Sequence, residues 1–425
     1  MPLDKDITPT PTPYRAPVYC EMQEEYVVDA AFLWELRACQ RQQPHITHQA
    51  ITLLEQRIEI QLEGILLVME AGWAACEAAL EHQEPGEVFT ATVVALRSHD
   101  HLKIQKAMQA GFTNAQTMKG LISALGWVSD AHVDPWITTF LHSNELNTIY
   151  LGLAACSVRR NDPGEQLTAL LQREDCLNDI PLHARALRLI GELRRHDLLP
   201  ALLAAHDADN DDLRFWSLWS TMLLGHTSSL HKMQPFVFKS GPHQQRALQL
   251  AFRVWPMAQA REWIAALATD NAQPRAAIIA MGVLGDPHAV NELIAAMTDP
   301  LLARVAGEAL TFITGVDLTQ QTLVRPSPPA LPTSPNDDPT DDNVAMDEDE
   351  KLPWPEAEKV LAWWHQHRAN FTDGQRYFLG KPMSIDALQH ILTTGYQRQR
   401  HAAALELALI ERSSPLINTH AKIIP

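Results

Sequence analysis

Five arginines recur at near-equal intervals through the middle of the chain, and they constrain its fold more than any other feature. They stand at Arg185, Arg214, Arg246, Arg275 and Arg304, with steps of 29, 32, 29 and 29 residues. Each opens onto an apolar run of helical spacing. Examples are Arg185-Ala-Leu-Arg-Leu-Ile-Gly-Glu-Leu, Arg246-Ala-Leu-Gln-Leu-Ala-Phe and Arg275-Ala-Ala-Ile-Ile-Ala-Met-Gly-Val-Leu. A second short helix is expected after most of them, over 198–204, 258–267 and 287–297. A helix pair repeating at this period cannot bury its apolar face alone and must stack on its neighbours. The pattern predicts an all-α protein built on an α-solenoid of HEAT-like helix pairs over residues 148–324.

The flanks read differently. Residues 1–20 are rich in Pro and Thr and form a flexible N-terminal arm. Residues 21–147 carry helical spacing, with Val28, Phe32 and Leu36 four apart, as are Leu54, Ile58 and Leu62. Helix starts are expected at Asp162-Pro163, Asp286-Pro287 and Asp299-Pro300, where Asp accepts from free N–H groups and Pro loses none. Residues 325–355 hold eight prolines and eight acidic residues, too little apolar surface to order themselves, and read as a disordered linker. A small C-terminal helical segment, 356–425, follows. Its Ala-rich run 402–410 suits close packing on another helix.

Charge narrows the function classes. The 425 residues carry 34 Lys+Arg against 51 Asp+Glu, a net of −17. Eight of those negative charges sit between Pro326 and Glu350, leaving −9 for the rest of the chain. This balance argues against sequence-independent nucleic-acid binding and against docking on an anionic membrane. The five cysteines are odd in number and form no C-x-x-C, so neither a zinc knuckle nor a disulfide scaffold is expected. With no apolar h-region and no membrane-length apolar run, the expectation is a cytoplasmic protein.

Motifs of catalysis are missing. No His-Glu-x-x-His, Gly-x-Ser-x-Gly or phosphate loop occurs. His99-Asp100-His101 and His365-Gln366-His367 place their histidines two apart, on different faces of a helix, where they cannot share a metal ion. The expectation is therefore a non-enzyme with no catalytic residue, cofactor or metal. The repeat arginines have two readings. Either they pair with carboxylates of adjacent repeats and set the stacking register, which is preferred, or they form a ladder that grips carboxylates or phosphates. Trp216 and Trp219, three apart, read as core. Candidates for binding a protein partner are Trp363, Trp364, Tyr377, Gln397, Arg398 and Arg400 in the C-terminal segment.

Several segments together resemble a bacterial family of HEAT-like proteins encoded in type VI secretion gene clusters. They are Leu54-Glu-Gln-Arg57-Ile58, Leu62-Glu-Gly64-Ile-Leu66, Ala71-Gly72-Trp73, Ser123-Ala-Leu-Gly-Trp127 and Phe312-Ile-Thr-Gly-Val-Asp-Leu318. Gln375-Arg-Tyr377-x-x-Gly380 and Gln397-Arg-x-Arg400-x-Ala-Ala-Ala-Leu-Glu-Leu-Ala408 complete the set. The resemblance implies an accessory role in effector handling and supplies no catalytic residues. The leading expectation is an adaptor or chaperone that cradles a type VI effector or its spike-tip carrier. The alternative is an immunity protein whose acidic tether meets a basic toxin. More remote are the bilin lyases and DNA glycosylases that also use HEAT-like repeats.

Overall fold

A computed structural model describes residues 17–269, 273–327 and 347–423. The fold is all-α. Among the described residues there are 22 α-helices, several short 3-10 turns, and one hairpin that pairs Tyr377–Phe378 with Lys381–Pro382. Of the flexible arm expected over residues 1–20, residues 1–16 lie outside the described residues and 17–20 instead open the helix Pro17–Gln40.

The chain forms two compact units. Among the described residues the first comprises 17–38, Thr52–Pro135 and 422–423. Its core holds Trp34, Ile58, Leu62, Phe89, Leu121 and Trp127, all buried. Leu54, Ile58 and Leu62 point inward as their spacing predicts. Val28 and Phe32 do not: they are 63% and 61% exposed, and the helix Pro17–Gln40 buries Val27, Ala30, Ala31, Leu33 and Trp34 instead. That helix carries apolar residues around most of its circumference, so periodicity could not choose the buried side. In the same unit Arg37 and Glu55 form a buried ion pair at 2.7 Å. Glu59 accepts from Trp127 Nε1 at 2.8 Å and from Arg97 Nη2 at 2.8 Å.

The second unit comprises Cys39–Ile51 and Trp136–Ala421. Six helices pack each on the next in chain order: Leu146–Arg159, Ile180–Leu193, Asp211–Leu223, Gln244–Val254, Pro274–Leu284 and Ala303–Thr314. Each of the last five also rests on a helix that precedes it: Glu174–Asn178, Leu199–Ala204, Gln234–Phe238, Met257–Thr269 and Val290–Ala296, all but Met257–Thr269 shorter than the helix they support. The alternation of apolar and polar residues along each long helix produces this stacking, because every repeat leaves one apolar face that only a neighbour can cover. Of the three expected Asp-Pro helix starts, only Asp286 caps a helical turn, accepting from His288 N at 3.2 Å. Asp162 and Asp299 instead close tight turns onto Gly164 N and Leu301 N, and the helices start a few residues later.

The C-terminal segment belongs to this same unit. One apolar cluster runs from Phe215, Phe252 and Leu284 through Leu310 and Ile313 to Val360, Trp364, Phe371 and Tyr377. Two helix C-caps explain part of the attachment. Gly285 and Gly315 both have φ of +71°, and a Cβ at either would collide with a carbonyl of the hairpin, Tyr377 O or Leu379 O. The hairpin backbone hydrogen-bonds to the same helix ends, Tyr377 N to Gly285 O at 2.8 Å and Leu379 N to Phe312 O at 2.7 Å. Glu406 of the helix Gln397–Ile410 is buried between Arg253 Nε at 3.0 Å and Arg376 Nη2 at 2.5 Å. Burial pushes the Arg253 guanidinium down to about 10.

The linker expectation needs correcting at both ends. Residues 328–346 lie outside the described residues, but 325–327 and 347–355 are ordered and folded back onto the repeats. Arg325 N donates to Trp354 O at 2.9 Å, Glu356 N donates to Leu323 O at 2.8 Å, and Val324 bridges Pro355. Composition counted the prolines and acids, but the arginines that hold the acids are far away in sequence.

Candidate functional site

Four of the five repeat arginines fall into two groups, and neither group sets register through carboxylates of adjacent repeats. Downstream, Arg275 grips Asp349 with both nitrogens, Nη1 to Oδ2 at 2.5 Å and Nη2 to Oδ1 at 2.8 Å. Its Nη2 also lies 3.5 Å from Glu348 Oε2. Arg304 Nη2 donates to Asp347 Oδ2 at 2.6 Å, and the same guanidinium stands over the Trp354 ring at 4.6 Å. Asp349 is buried. Burial alone would raise the Asp347 pKa, but the bonds from Arg304 and from Asp349 N hold it below the usual carboxylate range. The acidic segment 347–349 is thus a short peptide seated on two rungs of the arginine ladder.

Upstream the ladder is differently occupied. Arg185 and Arg188 lie on the helix Ile180–Leu193, one turn apart, and Arg246 begins the helix Gln244–Val254. Between those two helices Trp216 presents its ring to both sides, 4.6 Å from the Arg188 guanidinium and 5.7 Å from that of Arg246. Arg185 donates to Ser157 Oγ at 3.0 Å and stands over Tyr150 at 5.9 Å. Trp216, expected in the core with Trp219, is half-buried. Its indole faces cations while Trp219 packs inward.

The carboxylate facing this cluster is Glu192, which is fully buried. It accepts from Arg188 Nε at 2.8 Å, lies 3.3 Å from Arg160 Nη1 and also bonds Ser157 Oγ. Burial pushes its pKa up, but Arg188, Arg160 and Arg185 together outweigh that, and the carboxyl titrates below its ordinary value. Arg160 is tied as well to the C-terminal tail, through Nε to Leu416 O at 2.6 Å. Arg246 is exposed and, among the described residues, makes no ion pair. Partial desolvation of its guanidinium against neighbouring groups, and then Arg188 and Arg185, lower its pKa. Arg214 belongs to neither group, because it pairs with Asp211 on its own helix and donates to Ala208 O at 2.8 Å.

Sequence reasoning named Arg185 and Arg246 but missed Arg188, Glu192, Trp216 as a cation platform, and Asp349. The first two were legible: 185, 188 and 192 fall at helical spacing on one face. Asp349 was not, since only the tertiary fold brings it to Arg275.

The six C-terminal candidates for partner binding are held mainly by intramolecular contacts. Trp364 and Tyr377 are buried in the shared core. Gln397 is fully buried and its backbone N–H donates to Ile46 O at 2.9 Å. Arg400 is buried and donates to Leu392 O at 2.7 Å. Arg398 bonds Gln42 O, Glu308 and Glu348 O at 3.1, 2.8 and 2.8 Å. Trp363 is half-buried and stacks on His367 at 4.4 Å. These bulky polar and aromatic residues sit beside small ones because the tail packs tightly on its own chain.

The histidine pairs have structural partners. Asp100 caps the helix His101–Gly111, and His99, at φ +56°, stacks on His132 at 4.8 Å. Among the described residues no group of His, Cys, Asp and Glu could hold a metal ion, and no helix is long and apolar enough to cross a membrane. Compared with protein-family models, curated proteins and solved structures, the chain gives no match.

Proposed function

We propose that the chain is a non-enzymatic protein-binding scaffold, an adaptor or chaperone that carries a type VI secretion effector or its spike-tip carrier. The observation behind the scaffold reading is the arginine ladder, one end of which already grips a short acidic segment while at the other Arg246 stands exposed beside the half-buried Arg185 and Arg188. Stacked repeats offer an extended row of equivalent side chains, and this is how such arrays read a partner along its length. The link to type VI secretion rests on the family resemblance.

The immunity reading relied on acidic residues free to meet a basic toxin. Two of the eight acids of that tether, Asp347 and Asp349, are bound to Arg304 and Arg275, which favours the adaptor. The full-length chain, used as bait in the cells that encode it, should recover an effector together with a spike component. Recovery of a toxin domain alone would favour immunity, and recovery of neither would overturn both.

A further inference from the structure

The downstream end of the ladder shows what the upstream end is built to hold. At Arg275 and Arg304 the occupant is a tight turn whose carboxylates, Asp347 and Asp349, are two residues apart, with Trp354 of the same segment stacked against one guanidinium. Upstream, two arginines again stand close together, here with an indole of the repeats themselves between them. Arg188 and Arg246 flank the Trp216 ring at 4.6 and 5.7 Å, so their guanidiniums are no farther apart than about 10 Å. Residues i and i+2 of an extended strand point the same way and are separated by about 6.5 Å. Two such carboxylates can reach both cations.

We infer that Arg185, Arg188 and Arg246, with Trp216 between them, bind an acidic segment of a partner protein, with carboxylates spaced as in Asp-x-Asp. This deepens the scaffold reading and rests on it for the partner being a protein. Charge supports it: Arg160, Arg185, Arg188 and Arg246 face one carboxylate, Glu192, whose oxygens are already taken by Arg188, Arg160 and Ser157. Like charges held this close repel one another, and an incoming carboxylate relieves the repulsion in a partly desolvated setting. The patch stands out because the chain as a whole carries −17. A carboxylate peptide is favoured over a nucleic acid because the chain's own segment supplies the matching chemistry on the same ladder.

The test uses the full-length chain and a fluorescent peptide copying residues 347–354, with an amide control in which its Asp and Glu become Asn and Gln. The acidic peptide should bind, and higher salt should weaken it. The control should bind at least about tenfold more weakly, since it loses every charge-assisted contact. Arg246 is exposed and makes no ion pair among the described residues, so Arg246→Ala should leave the melting temperature unchanged while weakening binding about tenfold. Arg246→Glu should weaken it further.

Three results would overturn the inference. They are equal binding of the control, binding insensitive to Arg246→Glu, or loss of binding on Arg275→Ala alone, which would mean the peptide merely exchanges with the chain's own segment. A single-stranded oligonucleotide that outcompetes the peptide would also overturn it, by assigning the site to phosphates. The scaffold reading fails separately. If the bait recovers an effector regardless of Arg246→Glu, the scaffold stands and this site does not. If the peptide binds at Arg246 but no effector is recovered, the reverse holds.

Discussion

Arg275 and Asp349 lie 74 residues apart in the chain and meet in a two-pronged ion pair at 2.5 and 2.8 Å. The planar guanidinium matches a carboxylate edge to edge, which a lysine could not do. This pair turns the end of an acidic, proline-rich stretch into part of the folded unit. Of the five repeat arginines, Arg275 and Arg304 hold the carboxylates of this segment.

Removing that grip should free the segment. Arg275→Ala leaves Asp349 buried without its main counter-charge, at a cost of about 2 kcal/mol. The urea midpoint should fall, and amide exchange should accelerate over 347–352. Unchanged exchange there would show that Arg304 and Trp354 suffice to hold the segment.

Glu192 should be the most sensitive carboxylate of the repeat unit. Glu192→Gln leaves several guanidiniums facing each other, a loss of about 3 kcal/mol or more in a buried setting. Because the folded pKa lies below the ordinary 4.5, the carboxylate's contribution is complete above that value. It is lost as pH falls through the lower folded value. Acid unfolding of the wild type should therefore steepen below about pH 4.5, and the variant should lose part of that slope.

His401 predicts a second, milder pH dependence. Its ring is buried between Arg41 O, at 2.9 Å from Nε2, and Thr419 Oγ1, at 2.6 Å from Nδ1, with His420 stacked at 4.4 Å. Burial, with Arg41, Arg400 and Arg398 nearby, lowers its pKa from 6.5 to about 4. The folded protein thus keeps the ring neutral where the unfolded chain protonates it. Stability should be full above pH 6.5 and decline by about 3 kcal/mol as pH falls to 4. Replacing His401 with Gln should flatten this region in denaturation curves taken across that range.

The hairpin's seat can be tested at one atom. Gly315→Ala adds a Cβ at φ +71° that runs into the Leu379 carbonyl. Left-handed strain alone costs about 1 kcal/mol, and the collision adds to it. The melting temperature should drop, with loss of exchange protection at Leu379 and Gly380. Gly374→Ala has a similar φ of +80° but open space around it, and should cost only the strain.

Local pattern carried much of the architecture. Spacing of Leu54, Ile58 and Leu62 named a buried face, and the repeat of arginines named the helices that stack from 180 to 314. It failed for Val28 and Phe32, where a helix apolar on most sides leaves the choice of buried face to its neighbours. It failed also for the C-terminal candidates, because Trp364, Tyr377, Gln397 and Arg400 have the composition of an interface and are covered by their own chain.

The sequence by itself determined the secondary structure, the period of the repeat and the row of arginines. Those follow from side-chain spacing within a few turns of helix. Which rungs are filled was decided by tertiary structure, because Asp347 and Asp349 reach Arg304 and Arg275 only once their segment has folded back onto the repeats. Ion pairing is set by distance in space, and the sequence interval from Arg275 to Asp349 carries no trace of it.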